Sequence, residues 1–210
     1  MSAGPGALRV AVLASGNGSN LQAILDGPHA AGTVEVVGVG SDKPGARALE
    51  RAATAAVEAA VFAREDYANR ESRDAAIGDW LEGLGTELVV LAGYMQLLSG
   101  SFIRRFPNRI VNVHPALLPS FPGLDAVGQA LDHGVRVTGV TVHFVDEGID
   151  TGPILLQEPV ELTYTRPMEA VLDEIHAVEH RLLPRALELI AAGRVTVDDG
   201  NPRLVRIEAE

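Results

Sequence analysis

Cysteine is absent from this chain of 210 residues. Without it the chain forms no disulfide, holds no Cys-ligated zinc or iron–sulfur cluster, and has no thiol nucleophile. Lysine occurs once, at Lys43, and the net charge is −11, so the sequence lacks the basic surface that nucleic-acid binding needs. Apolar runs such as Leu88–Ala92 are far shorter than the roughly 20 residues that cross a bilayer. Because Met1–Ala7 has neither the basic start nor the apolar centre of a signal peptide, we expect a cytoplasmic protein without nucleic-acid or membrane partners.

The chain does contain an alternation of strand-like and helix-like segments. Its hydrophobic content of 47% and charged content of 21% are typical of an ordered globular chain. Short apolar and β-branched runs predict strands at Leu8–Ala14, Val34–Gly40, Ala59–Phe62, Leu88–Ala92, Ile110–Val113, Gly139–Val145 and Ile154–Val160. Helical spacing of apolar residues predicts helices at Arg47–Ala56, Arg70–Leu84 and Met168–Ala192. Such an alternation is typical of an α/β fold.

The architecture expected from this pattern is a single α/β domain over residues 1–210, with 1–8 and 200–210 as flexible or peripheral tails. We expect a doubly wound, mostly parallel sheet with a Rossmann-like N-terminal half. Open parallel sheets bind ligands beyond the carboxyl ends of their strands. Residues that directly follow predicted strands are therefore the first candidates for a functional site.

The first candidate is the turn Ser15–Asn20, which follows the first predicted strand and opens a helix. Glycines let the backbone approach an anion closely, and the N–H groups of a first helical turn point at it. Gly16 and Gly18 match the start of a dinucleotide-binding G-x-G-x-x-G motif, but its third glycine position is Leu21. With Asp42 as a ribose ligand, the turn could serve a nicotinamide-dependent oxidoreductase. The simpler alternative is a tight turn with a polar helix cap.

The second candidate is a polar pair at the end of a strand, Asn112 and His114. Side chains two residues apart in a strand point to the same face, so we expect the two to converge on one pocket. An amide donor beside a histidine can stabilise an oxyanion. A purely structural histidine is the alternative. His143 lies within a predicted strand, and we expect it to be structural or to support the site from behind.

The third candidate is the acid-rich segment Asp146–Pro153, which contains Gly148 and Gly152. The segment lacks the spacing of a calcium-binding EF-hand loop, so we expect no metal there. A carboxylate from this segment that faces His114 would favour the charged imidazolium. An exposed acidic loop without a role in chemistry is the alternative.

A fourth pattern, His176-x-x-Glu179-His180, matches the inverted zinc-peptidase motif. On a helix the two histidines lie one turn apart, but catalytic zinc needs a third protein ligand. Val171 and Val178 belong to an apolar stripe that is typical of a helix packed on a core. We therefore favour a structural helix and expect no metal site.

Five groups of residues carry a family resemblance when they are taken together. They are Ser15–Asn20, Leu91–Met95, Asn112–Pro119, Phe121–Gly123, and Thr141–Val145 with Asp150–Pro153. Over about residues 9–194 the chain resembles phosphoribosylglycinamide formyltransferase, the folate-dependent family of purine synthesis. The N-x-H-P-x-L-L-P segment and the later D-x-G-P are typical of all folate-dependent formyl-transferring relatives, whereas the S-G-N-G-S-N turn points to the glycinamide ribonucleotide branch. Methionyl-tRNA formyltransferase and the formyltetrahydrofolate deformylases carry an extra domain that 210 residues do not accommodate.

The resemblance implies a formyltransferase fold and a reaction without a covalent enzyme intermediate. The glycine amine of glycinamide ribonucleotide attacks the formyl carbon of 10-formyltetrahydrofolate, which acts as the formyl-donor co-substrate, and no metal is required. Asn112 and a protonated His114 would stabilise the tetrahedral oxyanion. Asp150 would keep His114 charged and help to move a proton, through water, from the amine to the departing nitrogen.

The resemblance also assigns substrate-binding residues. Those implied for the ribonucleotide are Gly18, Ser19 and Asn20 at the phosphate and Glu179 at the ribose or glycinamide end. Those implied for the folate are Arg70, Met95, Gln96, Leu97, Leu98, Asn112, Val145 and Asp146.

Two positions depart from the family pattern: Gln96, where many members have arginine, and Asp125, where many have histidine. One alternative function is a formyltetrahydrofolate hydrolase, which would use the same three catalytic residues without a nucleotide phosphate site. An oxidoreductase would not need His114, and a nucleotide-sensing binding module would keep Ser15–Asn20 while tolerating loss of the catalytic residues. The sequence leaves the oligomeric state open, a homodimer included.

Overall fold

The computed structural model describes residues 6–165 and 167–208. Its strands are β1 (Leu8–Leu13), β2 (Val34–Ser41), β3 (Ala59–Val61), β4 (Leu88–Leu91), β5 (Ile110–His114), β6 (Val137–Phe144), β7 (Ile154–Glu161), β8 (Val195–Val197) and β9 (Val205–Ile207). Its α-helices are α1 (Ser19–Ile24), α2 (Arg47–Thr54), α3 (Arg70–Gly83), α4 (Gly100–Arg105), α5 (Ala126–Asp132) and α6 (Met168–Ala191). Strands β1–β7 form one sheet in the order β3-β2-β1-β4-β5-β6-β7, and β8 and β9 form a second sheet. The α/β prediction is therefore confirmed.

The chain divides into two compact units, and the first comprises residues 1–111. In this unit β1 pairs in parallel with both β2 and β4, and β2 pairs in parallel with β3. The segment 10–14 is completely buried. A strand that is apolar on both faces is what a central parallel strand covered by helices requires. This arrangement agrees with the Rossmann-like N-terminal half expected from the sequence.

The second unit comprises residues 112–210 and contains an antiparallel pair, β6 and β7. The segment 145–153 connects these two strands, and a parallel crossover needs a dozen or more residues, so the short connection forces the antiparallel pairing. Helix α6 packs on the same two strands through an apolar stripe that includes Val171, Ile175 and Val178. No helix in the described part of the chain is long and apolar enough to cross a bilayer.

Two short helices, α4 and α5, were not expected from the sequence. Helix α4 has six residues and begins after Ser99, whose hydroxyl accepts a hydrogen bond from the N–H of Phe102 at 3.3 Å. Helix α5 begins after Asp125, whose carboxylate accepts from the N–H of Gly128 at 3.3 Å. Helices this short carry too few turns for an apolar period, so their side-chain caps are the main local signal.

The ends of the chain are described only in part. Leu8 begins β1, and residues 205–207 form β9, which pairs antiparallel with β8. The remainder of the expected tails includes residues 1–5 and 209–210, which lie outside the described residues. The single domain and its flexible or peripheral tails stay predictions.

Candidate active site

Asn112 and His114 both approach the carboxylate of Asp150. Because β5 holds them two residues apart, their side chains leave the strand on the same face. The amide nitrogen Nδ2 of Asn112 lies 3.5 Å from Oδ1 of Asp150, and Nδ1 of His114 lies 3.5 Å from Oδ2. The structure therefore brings together the three residues that the sequence singled out for catalysis.

The carboxylate of Asp150 is stabilised in its ionised form. The backbone N–H of Gly123 donates to Oδ2 at 2.8 Å. Burial raises the pKa of Asp150, but the neighbouring His143, the Gly123 bond and the charge of His114 outweigh burial and lower the pKa below its ordinary value of 3.8. Asp150 is thus a negative charge at neutral pH.

His114 is buried between two hydrogen-bond acceptors. Its Nε2 lies 2.8 Å from the backbone oxygen of Phe121. Because a carbonyl oxygen only accepts, Nε2 carries a hydrogen. Its Nδ1 faces the carboxylate of Asp150, so only the imidazolium donates in both directions.

His143 is a fourth member of the cluster. Its Nδ1 lies 2.9 Å from the backbone oxygen of Phe144 and donates to it, while Nε2 lies 3.2 Å from Nδ2 of Asn112 and 3.6 Å from Oδ1 of Asp150. When neutral, His143 accepts from the Asn112 amide; when protonated, it donates to Asp150. Sequence reasoning placed it only behind the site. Its position at the end of a strand, just before the acid-rich segment, was the signal for a larger role.

The segment that follows His114 is fixed by two polar side chains of β6 and β7. Thr141 Oγ1 donates to the backbone oxygen of Ala116 at 2.6 Å and accepts from the N–H of Leu118 at 3.1 Å. Gln157 Nε2 donates to the backbone oxygen of Leu118 at 2.9 Å and to Thr141 Oγ1 at 3.0 Å. Buried polar groups are thereby paired, which makes this segment a rigid wall of the cluster. Neither residue was singled out from the sequence for such a role.

The segment 145–153 is organised by Asp146. Its Oδ1 accepts from the N–H of Gly148 at 3.0 Å and from the hydroxyl of Thr151 at 2.6 Å. At Gly152 an added Cβ would lie only 1.8 Å from the backbone oxygen of Phe144, so only glycine fits there. Val145, a predicted folate contact, is half-buried at the start of the segment. The acids therefore have different tasks: Asp146 shapes the turn and Asp150 joins the cluster.

In the first unit, the turn 15–20 has a backbone that requires glycine at one position. Gly18 has φ +72° and is the residue that precedes α1, so this helix begins without the polar side-chain cap that the simpler alternative predicts. A Cβ there would lie 2.8 Å from the Cα of Ala48. Arg51 donates to the backbone and side-chain oxygens of Asn17 at 2.9 and 2.8 Å. The turn therefore combines N–H groups at a helix start with a nearby positive charge, which suits an anion.

The predicted folate residues of the first unit differ in exposure. Arg70 begins α3, and its half-exposed guanidinium lies 3.6 Å from Glu71. The side chains of Met95 and Leu97 are exposed, at 57% and 60%. Gln96 and Leu98 are half-buried. Gln96 bonds to side chains of its own unit at both ends of its amide.

Glu179 is buried on α6, where the zinc-like pattern of the sequence also lies. The rings of His176 and His180 are stacked with centroids 6.2 Å apart. Within residues 6–165 and 167–208, no group of three or more His, Asp and Glu side chains could hold a metal ion. The two histidines of the pattern lie one turn apart on α6, and the absence of a metal from the reaction stays a prediction.

The cluster of the second unit has the components of acyl-group chemistry. It combines an amide donor, a buried histidine whose two ring nitrogens face a carbonyl oxygen and a carboxylate, and the ionised carboxylate of Asp150 itself. Donors held in place before reaction stabilise a tetrahedral oxyanion without reorganising. The carboxylate–histidine pair can also relay a proton.

Comparisons with known proteins agree with this chemistry. The family described as "Formyl transferase" matches residues 8–187. The chain is 40% identical to "Phosphoribosylglycinamide formyltransferase" of Bacillus subtilis over 185 residues, which cover 86% of this chain and 93% of that protein. It is 42% identical over 196 residues to "Trifunctional purine biosynthetic protein adenosine-3" of Bos taurus. That match covers 93% of this chain but spans only 19% of the bovine protein.

A solved structure adds a match in three dimensions. The crystal structure of glycinamide ribonucleotide transformylase 1 from Symbiobacterium toebii is 47% identical in sequence and superposes with a TM-score of 0.91. The match covers 96% of this chain and 94% of that one. Since the family match and the relatives agree over most of the sequence, the chain belongs to the phosphoribosylglycinamide formyltransferase family.

Proposed function

We propose that this chain transfers the formyl group of 10-formyltetrahydrofolate to the glycine amine of glycinamide ribonucleotide, a step of de novo purine synthesis. Membership of the family supports the reaction. The observation that supports the catalytic residues is the geometry of His114, which is buried between the Asp150 carboxylate and the Phe121 carbonyl and can donate from both ring nitrogens only when charged.

In this mechanism the amine nitrogen forms a bond with the formyl carbon, and the carbonyl electron pair moves onto the formyl oxygen. The resulting oxyanion accepts a hydrogen bond from Nε2 of His114, where it replaces the backbone oxygen of Phe121. The amide of Asn112 supplies a second donor. A preorganised donor of this kind contributes about 10²–10³ in rate.

The second half of the reaction moves a proton and breaks a bond. The attacking nitrogen loses a proton to water that Asp150 orients, and the departing N10 of the folate gains one. The bond between the formyl carbon and N10 then breaks, which releases formylated ribonucleotide and tetrahydrofolate. Asp150 keeps His114 charged throughout, because its own lowered pKa keeps it ionised at neutral pH.

The substrate contacts of the proposal follow the resemblance residue by residue. For the ribonucleotide they are Gly18, Ser19, Asn20 and Glu179. For the folate they are Arg70, Met95, Leu97, Leu98, Asn112, Val145 and Asp146, while Gln96, whose amide is bonded at both ends within its own unit, belongs to the same segment without contacting the donor. The backbone of the Gly18 turn supports the phosphate contact, since its open N–H groups and the nearby Arg51 suit an anion. No metal takes part in the proposed steps, and the cytoplasmic location and a homodimer stay predictions.

A transfer assay tests the function directly. The purified protein is mixed with 10-formyl folate donor, with and without glycinamide ribonucleotide, and donor consumption is followed by absorbance, once with a chelator present. We expect consumption that requires the ribonucleotide and survives chelation. Consumption without the ribonucleotide would show a hydrolase instead. No consumption in either mixture would contradict the proposal.

A further inference from the structure

We propose that Gln96 is a positioning residue for the formyl donor: tied to Arg73 and Asp42, it fixes the segment 95–99 and does not itself contact the donor. The inference rests on the proposed function, because it concerns the segment expected to meet the folate. We call the three side chains the Arg73–Gln96–Asp42 bridge.

Both ends of the Gln96 amide have a partner inside the first unit. Its Oε1 accepts from Nη1 of Arg73 at 3.1 Å, and its Nε2 donates to Oδ2 of Asp42 at 2.9 Å. Arg73 is 3% exposed and Asp42 is 8% exposed. An amide that already serves two buried charges would lose charge-assisted bonds if it turned towards a ligand.

The backbone around Gln96 is held by the same group of side chains and by one serine. Nη2 of Arg73 lies 3.4 Å from the backbone oxygen of Leu97. The N–H of Ser99 donates to Oδ2 of Asp74 at 2.6 Å, and Asp74 is itself paired with Arg73 at 2.9 Å. The N–H of Met95 donates to the hydroxyl of Ser15 at 2.8 Å. Each of residues 95, 96, 97 and 99 is therefore held by at least one hydrogen bond.

The direction of these bonds explains why a glutamine suits this place. Arg73 offers only donors and ionised Asp42 offers only acceptors, so the residue between them must accept at one end and donate at the other. A glutamine amide does both, without adding a charge to a buried group. A carboxylate at this position would still accept from Arg73 but would face Asp42 with a like charge.

The bridge determines which side chains of the segment point outward. Met95 and Leu97 flank Gln96 and are exposed at 57% and 60%. The buried bridge therefore determines where Met95 and Leu97 present their apolar surface to the flat aromatic ring of the donor. A fixed surface lowers the ordering cost of binding, so weakening the bridge raises the KM for the donor more than it changes kcat.

The experiment first removes and then reverses the hydrogen bond that Gln96 donates to Asp42. Gln96→Glu removes the donor that faces Asp42, and we expect the KM for the 10-formyl donor to rise about tenfold while the KM for the ribonucleotide stays within about twofold. Asp42→Asn alone has a smaller effect, because its amide oxygen still accepts from Gln96. In the double variant D42N/Q96E the new asparagine donates to the new carboxylate, and the total charge is that of the natural pair. We expect its donor KM to return to within about threefold of the unaltered protein.

Backbone amide exchange of residues 95–99 supplies a readout that needs no catalysis. Exchange should quicken in Gln96→Glu and slow again in the double variant. If the double variant binds the donor as poorly as Gln96→Glu, the residue acts by direct contact and the proposal is wrong. If Gln96→Glu does not fold, Gln96→Met tests the bridge, and an unchanged donor KM would likewise overturn it. An unaltered protein without transferase activity would refute the proposed function, while exchange would still test the bridge.

Discussion

The cluster around Asp150 and the turn at Gly18 both follow the end of a strand, but different forces hold them. Asp150 is positioned by polar side chains and one N–H, and its ionisation depends on them. The Gly18 turn is positioned by backbone shape, because a positive φ and the closeness of Ala48 leave no room for a Cβ. Substitutions in the first region should change rate and pH dependence, whereas substitutions in the second should change stability and substrate affinity.

The largest effect is expected at His114. His114→Ala removes the donor to the oxyanion, so kcat should fall about 10²–10³-fold. His176→Ala is the matched control, since His176 is exposed on α6 and should leave kcat unchanged. Steady-state kinetics with both substrates measures the difference. A His114→Ala enzyme that turns over at the original rate would remove the cluster from the mechanism.

The next effect is expected at Asp150. Asp150→Asn keeps an acceptor for the Gly123 N–H but loses the charge that favours the imidazolium, so kcat should fall about 10²-fold. The carboxyl pKa is lowered in the folded protein, so its contribution to stability is present above the unfolded value and is lost as pH falls through the folded value.

Urea unfolding of the two proteins checks the sign of this linkage. Between pH 5 and pH 3, about one unit on either side of the ordinary carboxyl value, the unaltered protein should lose more of its free energy of unfolding than Asp150→Asn does. An equal loss in both proteins would mean that Asp150 is not stabilised as a carboxylate in the fold.

The comparison also shows what the sequence can and cannot predict. Asn112 and His114 could be paired from the two-residue period of a strand, and the strand ends located both regions. The choice of Asp150 among the acids of 146–153 came from the family resemblance and not from residue type or spacing, because physically it depends on which carboxylate meets Gly123 and the two histidines. The inward direction of the Gln96 side chain was equally hidden, since its partners Asp42 and Arg73 lie 54 and 23 residues away in sequence.

The secondary structure likewise includes elements that the local sequence predicts and elements that it does not. Segments with a clear period, such as α6 and β1, were predicted with ends within two residues. Helices α4 and α5 are too short to show a period, and their caps at Ser99 and Asp125 were not recognised as helix starts. The antiparallel β7 follows from the short connection after β6, a constraint of chain length that composition does not reveal.

A third prediction tests whether the backbone conformation at Gly18 determines the shape of its turn. Gly18→Ala forces a Cβ to within 2.8 Å of Ala48 at φ +72°, and we expect it to destabilise the protein by about 1–3 kcal/mol. The displaced N–H groups should raise the KM for the ribonucleotide about tenfold. Gly16→Ala is the control, because a Cβ at Gly16 meets nothing within 4 Å. Equal effects in the two variants would show that backbone shape does not determine this turn.

The smallest effect is expected at Arg203. Its substitution tests whether the Asp150 cluster also depends on a contact to its backbone. Its Nη1 donates to the backbone oxygen of Thr151 at 3.3 Å, next to Asp150 in sequence, but the contact is exposed. An exposed bond of this length contributes about 0.5 kcal/mol, so Arg203→Ala should lower kcat less than about twofold. Arg206→Ala is the control, because Arg206 pairs with Asp198 within the β8–β9 hairpin. A tenfold loss of kcat in Arg203→Ala but not in Arg206→Ala would contradict this expectation. It would mean that the position of Asp150 depends on the hydrogen bond from Arg203 to the Thr151 backbone. The Asp150 cluster, like the Gly18 turn, would then be positioned partly through its backbone.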